Sequence, residues 1–168
     1  MSDKILVAYA TKAGSTAEVA EAVGQELRDA GAEVEVQPAK EVKDLSPYKA
    51  VIVGSAIRMG KWVPEATSFV EKNREALSQV PVAYFVVCMT MKDDTEENHR
   101  TVEAYLDPVC EIVEPLDKGL FAGTINYSKL SFPARTMSKA MKVSEGDFRD
   151  WEAIGAWARQ VHSRLTRG

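Results

Sequence analysis

A hydroxyl-rich loop near the start of the chain carries the residues best suited to hold a phosphate group. The loop, Thr11-Lys12-Ala13-Gly14-Ser15-Thr16, follows an apolar run over residues 5–10. Its three hydroxyls can donate to an anion. A helix that begins there adds unpaired backbone N–H groups and the positive end of its dipole. The loop therefore predicts a phosphate site, although a serine- and threonine-rich helix cap would have a similar composition.

A second loop offers groups that suit a flat aromatic ligand. It reads Ser55-Ala56-Ile57-Arg58-Met59-Gly60-Lys61-Trp62. Trp62 can supply aromatic stacking area, and Gly60 permits a backbone turn at low steric cost. Arg58 supplies a cation between two apolar residues. In the alternative interpretation, Trp62 and Gly60 only shape the entry to the next helix, and Lys61 is a solvated surface charge.

Alternating strand and helix patterns place both loops at one edge of a sheet. Hydrophobic periodicity predicts strands over residues 5–10, 32–37, 50–54, 82–88 and 120–126. It predicts helices over residues 16–30, 64–77 and 94–110. A last helix is expected to follow Asp147, which can cap it.

These patterns predict one α/β domain over residues 1–168, built as a doubly wound sheet with helices on both faces. The second strand alternates apolar and charged residues, which is typical of an edge. The first, third and fourth strands are apolar throughout and belong inside. The predicted strand order is therefore 2-1-3-4-5, with a ligand at the carboxyl ends of strands one and three. A phosphorylation receiver shares this order, but neither strand end supplies the acids that it needs.

The composition narrows the function classes further. The chain has 168 residues and a formal net charge of −4, which argues against non-specific nucleic-acid binding. No apolar run reaches the roughly 18 residues that a membrane span needs, and a strand pattern begins too early for a signal peptide. Cys88 and Cys110 are expected to be free thiols, and His99 and His162 form no metal constellation. We therefore expect a cytoplasmic protein without a metal site.

The first loop resembles the FMN-phosphate loop of flavodoxins, usually Thr/Ser-x-Thr-Gly-x-Thr, with Ala13 in place of the central threonine. With the second loop included, the resemblance covers essentially the whole chain and implies a flavodoxin-like three-layer sandwich that binds FMN. It implies that the phosphate is held by Thr11, Lys12, Ala13, Gly14, Ser15 and Thr16. It implies that the ring is flanked on one side by Ser55, Ala56, Ile57, Arg58, Met59, Gly60 and Trp62, and on the other by Met89, Thr90 and Met91.

Two departures from low-potential flavodoxins bear on the redox chemistry. The third loop, over residues 88–93 after the fourth predicted strand, offers no aromatic residue in place of the tyrosine that usually stacks on the outer flavin face. Arg58, Lys61 and Lys92 stand where such proteins usually place acids. A cation close to the reduced flavin would raise the potential for full reduction. Both departures favour two-electron chemistry.

Several segments resemble one branch of the family, the menaquinone-dependent protoporphyrinogen IX dehydrogenases. The similar segments are the run over residues 51–60 and the helix entry Asp150-Trp151-Glu152. The resemblance implies an FMN-dependent oxidoreductase of heme biosynthesis that passes electrons to a quinone. Arg58 would be its catalytic cation, toward substrate carboxylates or reduced flavin. The alternatives are a non-enzymatic electron carrier between redox partners, and a quinone or NAD(P)H-dependent reductase.

An insertion is predicted over residues 127–146, between the fifth strand and the last helix. Residues 127–143 contain four cations and no acids in an otherwise acidic chain. In the related branch the matching segment is tied to substrate handling and membrane contact. The segment therefore predicts peripheral membrane contact, with a solvent-facing lid or a partner-docking surface as alternatives.

Overall fold

The computed structural model of the protein describes residues 4–10, 15–58, 61–88, 95–122, 124–125, 146–147, 149 and 151–166. Strands and helices alternate along these residues. The strands are β1 (Lys4–Ala10), β2 (Glu33–Pro38), β3 (Tyr48–Arg58), β4 (Lys61–Trp62), β5 (Val82–Val87), β6 (Asp117–Phe121), β7 (Thr124–Ile125) and β8 (Gly146–Asp147). The helices are α1 (Ser15–Asp29), α2 (Pro64–Lys72), α3 (Arg74–Leu77), α4 (Glu96–Ala104), α5 (Asp107–Ile112) and α6 (Trp151–Thr166), with a 3-10 turn over Ala39–Glu41.

The main sheet is parallel along the path β2-β1-β3-β5-β6. Numbered among the parallel strands alone, this is the predicted order 2-1-3-4-5, which is confirmed. The strands β1, β3 and β5 are apolar over residues 5–10, 50–54 and 82–87, because both of their faces are covered there. Ser55 pairs with Ala10 on one side and with Val86 on the other. The carboxyl ends of the three central strands therefore lie side by side.

The sheet separates two hydrophobic cores, as the period of two along each strand requires. In β1, Leu6 and Ala8 point to the core that α2, α4 and α5 cover. Ile5 and Val7 point to the core that α1 and α6 cover. Helices on both faces of a parallel sheet make the three layers predicted from the sequence.

Several boundaries differ from those predicted. The third strand is longer than the predicted 50–54, and the helix expected over 64–77 is two helices, α2 and α3. The helix expected over 94–110 is two helices, α4 and α5, and Pro108 lies in the first turn of the second. Proline has no N–H to donate and crowds the preceding turn, so the first helix ends before it. The fifth parallel strand begins at Asp117 and ends at Phe121, earlier than expected. The Asp117 carboxylate makes this possible, since it accepts hydrogen bonds from Gln160 and Arg164 of α6.

The prediction that Asp147 caps the last helix is wrong. Asp147 belongs to β8, where it pairs with Thr124 in an antiparallel ladder, and α6 begins at Trp151. The second pair of this short ladder joins Ile125 to Gly146. The ladder therefore holds together the two ends of the segment 126–145, which lies outside the described residues. The insertion expected there stays a prediction, as does its contact with a membrane.

The last helix closes the α1 side of the sheet. Its buried residues are Ile154, Trp157, Ala158, Val161 and Leu165. Within the part of the chain that the structure describes, no helix combines the length and apolarity needed to cross a membrane.

Candidate functional site

The candidate site begins where β1 ends and α1 starts. Thr16, in the first turn of α1, is fully buried. Its Oγ1 has no hydrogen-bond partner among the described residues. A buried polar atom without a partner costs about 1–3 kcal/mol, so this hydroxyl fits an acceptor that a ligand would bring. The other members of this loop are not described: Thr11, Lys12, Ala13 and Gly14 as residues, and Ser15 in its side chain.

A cavity of about 230 Å³ opens beside this helix start. It lies at the carboxyl ends of β1 and β2, between the first turns of α1 and α2. The described residues that line it are Tyr9, Ala10, Ala17, Pro38, Lys40 and Glu65. Burial raises the pKa of Tyr9, and the carboxylates of Glu21 and Glu41 raise it further. The phenol is therefore protonated at neutral pH and can donate a hydrogen bond.

Sequence reasoning missed the lining residues Tyr9, Lys40 and Glu65. Tyr9 had a usable signal, because it is the one polar group in the apolar run that leads into the loop. Lys40 and Glu65 had none, because the 3-10 turn and the first turn of α2 meet only in the folded chain.

Ser55, expected at the ligand, uses its hydroxyl within the protein. The side chain is fully buried at the carboxyl end of β3. Its Oγ donates to the Ala56 carbonyl at 2.7 Å and accepts from the Val63 N–H at 3.0 Å. The donor of the hydroxyl is therefore occupied. As placed, Ser55 holds the second loop in position.

The second loop is a tight hairpin between β3 and β4. Ile57 pairs with Trp62, and Arg58 pairs with Lys61, in an antiparallel ladder. Ala56 and Ile57 are partly buried against the core. Met59, Gly60 and the side chain of Arg58 lie outside what the structure describes. The catalytic role expected for Arg58 stays a prediction.

Trp62 packs inside the protein. Its side chain is 4% exposed, and its ring centroid lies 5.1 Å from that of Tyr84 in an edge arrangement with an interplanar angle of 74°. Its indole Nε1 has no hydrogen-bond partner among the described residues. This placement matches the alternative interpretation, in which Trp62 anchors the entry to α2. Stacking on a ligand ring would require Trp62 to leave this packing.

The third loop leaves the sheet next to the second. Val87, the last residue of β5, pairs with Ala56 of β3. Cys88 follows it, and its backbone N–H donates to the Phe121 carbonyl at 2.8 Å. Met89, Thr90 and Met91 lie outside the described residues. The backbone nevertheless brings the start of this loop beside the second loop, as a ligand bound between them would require.

Comparison with known proteins agrees with this geometry. The family model described as "Flavodoxin domain" matches residues 6–151. The chain is similar to the protoporphyrinogen IX dehydrogenase [quinone] of Escherichia coli strain K12, with 24% identity over 94% of each chain. It is also similar to the protein of that name from Leishmania major, with 27% identity over 94% of this chain and 74% of that one.

Solved structures share the fold. The Streptococcus pneumoniae flavodoxin matches with a TM-score of 0.59 at 17% identity, over 96% of this chain and 99% of that one. A variant of the Fusobacterium nucleatum flavodoxin, solved with flavin mononucleotide bound, matches with a TM-score of 0.58 at 13% identity, over 96% of each chain. At such identities the likeness shows the architecture.

Proposed function

Because the chain belongs to the flavodoxin domain family, we propose that it binds FMN and acts as an FMN-dependent oxidoreductase. The observation that carries the proposal is the buried hydroxyl of Thr16 in the first turn of α1, which has no partner among the described residues. A phosphate oxygen there would accept from this hydroxyl and from the backbone N–H groups that open the helix. When bound, FMN supplies reversible electron transfer at its ring.

The phosphate would be held by the loop 11–16. Thr11, Ser15 and Thr16 would donate through hydroxyls, and Lys12, Ala13 and Gly14 through backbone N–H groups. The positive end of the α1 dipole would favour the anion. The described residue Thr16 fits this assignment, because an acceptor from the ligand would satisfy its buried oxygen.

The ring would lie across the carboxyl ends of β3 and β5. One side would be formed by the backbone of the second loop, at Ser55, Ala56, Ile57, Arg58, Met59, Gly60 and Trp62, and the other side by Met89, Thr90 and Met91. Ser55 would support this wall, since its two hydrogen bonds hold the loop against the start of α2. The wall would exclude water from one face of the ring and orient it.

For the reaction, we propose oxidation of a porphyrinogen with a quinone as electron acceptor. The support is the printed name of two relatives that align over most of this chain. Arg58, at the end of β3 beside the ring, would attract substrate carboxylates and stabilise negative charge on reduced FMN. Peripheral contact of the segment 127–143 with a membrane surface would give access to the quinone and stays part of this proposal.

The test begins with cofactor binding. FMN is added to the apoprotein and followed by fluorescence quenching, with Thr16→Val compared with Thr16→Ser. Loss of the hydroxyl in Thr16→Val should weaken FMN binding by about tenfold, since one hydrogen bond is lost. Thr16→Ser should stay within about threefold of the wild type because it keeps the donor. If the wild-type protein binds no FMN, the proposal is wrong.

The reaction is tested next, under anaerobic conditions with protoporphyrinogen IX and a menaquinone analogue. Arg58→Ala should slow turnover, and Lys61→Ala, its partner in the hairpin ladder, serves as the matched control. Equal losses would argue against a specific role for Arg58. Reduction of bound FMN by a protein reductase without any turnover of the porphyrinogen would favour the electron carrier instead.

A further inference from the structure

The first turn of α1 carries a carboxylate that is paired with a distant arginine. Glu18 forms an ion pair with Arg149, although 131 residues separate them in the chain. The Glu18 side chain is 54% exposed, whereas that of Arg149 is only 10% exposed. The Arg149 guanidinium also lies 4.5 Å from the centroid of the Trp151 ring. Arg149 is therefore held between the start of α6 and the start of α1.

The location of Glu18 has an electrostatic consequence for the proposed phosphate site. A carboxylate in the first turn of a helix stabilises the helix through its dipole. The same carboxylate repels a phosphate dianion bound at that helix end, because the two charges have the same sign. A cation paired with Glu18, as Arg149 is, would offset this repulsion.

We propose that Arg149 is a positioning residue that neutralises Glu18 and thereby allows the N-terminus of α1 to accept a dianionic phosphate. This inference rests on the proposed binding of FMN. It deepens that function, because it assigns part of the phosphate affinity to a residue outside the loop 11–16. It also links the affinity to the short connection between β8 and α6 that carries Arg149.

A second ion pair, this one between α6 and α1 themselves, allows the electrostatic role of Arg149 to be distinguished from a structural one. Arg159 donates to Glu26 at 3.0 Å and also joins α6 to α1. Glu26 lies about 12 Å further along the helix axis than Glu18, which is beyond a Debye length at physiological salt. If these pairs only fasten the helices together, removing either should have similar effects on flavin binding.

The experiment measures the affinity of the full-length apoprotein for FMN and for riboflavin, which lacks the phosphate, at physiological ionic strength. Arg149→Gln should weaken FMN binding by roughly three- to tenfold, since Glu18 becomes an uncompensated charge near the dianion. Riboflavin binding should not change. The double variant Glu18→Gln with Arg149→Gln should recover wild-type affinity for FMN, because the repelling charge is gone. Arg159→Gln should leave both affinities unchanged.

Several outcomes would overturn the inference. One is equal weakening of FMN and riboflavin in Arg149→Gln, and another is no recovery in the double variant. If circular dichroism shows that Arg149→Gln folds poorly, the FMN affinity of Glu18→Gln tests the inference instead. The inference requires Glu18→Gln to bind FMN at least as tightly as the wild type, and weaker binding would overturn it. Wild-type protein that binds neither flavin refutes the proposed function itself. If the wild type and Arg149→Gln bind FMN equally tightly, only the role of Arg149 is refuted.

Discussion

The backbone N–H of Val63 donates a 3.0 Å hydrogen bond to the hydroxyl of Ser55, and both residues are fully buried. This bond joins the carboxyl end of β3 to the residue that precedes α2. The bond therefore holds together the two ends of the loop that connects these residues. The sequence predicted that Ser55 contacts the ligand. In the described structure, its hydroxyl instead holds the two ends of the loop together.

Replacing Ser55 tests how much its hydrogen bond with Val63 stabilises the protein. Ser55→Ala should lower the free energy of unfolding by about 1–2 kcal/mol, because the buried N–H of Val63 loses its closer acceptor and keeps only the Ala56 carbonyl at 3.3 Å. Urea denaturation measures the change. Ser78→Ala is the matched control, because the Ser78 hydroxyl donates to the Arg74 carbonyl at an exposed position. Equal losses in the two variants would show that the bond to Val63 contributes little.

The absence of a side chain at Gly54 sets the packing of the central strands. A Cβ at Gly54 would approach the Phe85 ring to 2.0 Å. Gly54→Ala should destabilise the protein by about 1–3 kcal/mol, since the core must shift to admit the methyl group. At Gly155 the nearest atoms to a Cβ would be the ends of the flexible Glu26 and Arg159 side chains, at 3.0 and 3.4 Å. Gly155→Ala, in a helix, should therefore be neutral or stabilising in the same thermal melts.

The Thr16 hydroxyl should affect stability and binding with opposite signs. In the apoprotein its oxygen is buried without a partner among the described residues. Thr16→Val keeps the shape and removes the unsatisfied group, so the unfolding free energy of the apoprotein should stay the same or rise by about 1 kcal/mol. FMN affinity should fall in the same variant. A large loss of apoprotein stability would mean that the hydroxyl already has a partner within the chain.

The edge of the sheet carries a network whose stability depends on pH. A hydrogen bond from Tyr48 lowers the pKa of Glu35, and the contact with Lys4 lowers it further. A lowered pKa means that the folded state favours the ionised carboxylate. The stabilising contribution is therefore present above the ordinary value of 4.5 and is lost as the pH falls below it.

Glu35→Gln provides the comparison for this network. The difference in unfolding free energy between the wild type and Glu35→Gln should be largest near neutral pH and should shrink between pH about 5 and 3. Chemical denaturation at several pH values measures it. Glu33→Gln is the control, being an exposed carboxylate on the same strand. A difference that stays constant with pH would show that Glu35 is not stabilised as an anion.

The sequence by itself determined the strand order and the place of the candidate site. Inner strands of a parallel sheet are covered on both faces, so their central residues are apolar, and the sequence shows such apolar runs in β1, β3 and β5. The edge strand β2 carries the alternation that a half-exposed strand needs. Once the order is known, the ends of β1 and β3 must lie together. The phosphate role of the loop 11–16 and the roles of Arg58, Gly60 and Met89 remain predictions.

The tertiary structure alone decided what depends on partners far away in the chain. No local sequence pattern predicts that Asp117 lies in a strand. Its carboxylate accepts hydrogen bonds from Gln160 and Arg164 of α6, which are more than 40 positions away in the chain. The burial of Trp62 follows from the place of Tyr84 beneath it, and the hydroxyl of Ser55 is occupied because Val63 returns to it. The pairing of Glu18 with Arg149 arises because the sheet brings the starts of α1 and α6 together. Such contacts are chosen by packing across the sheet, and a linear pattern of residue types does not contain them.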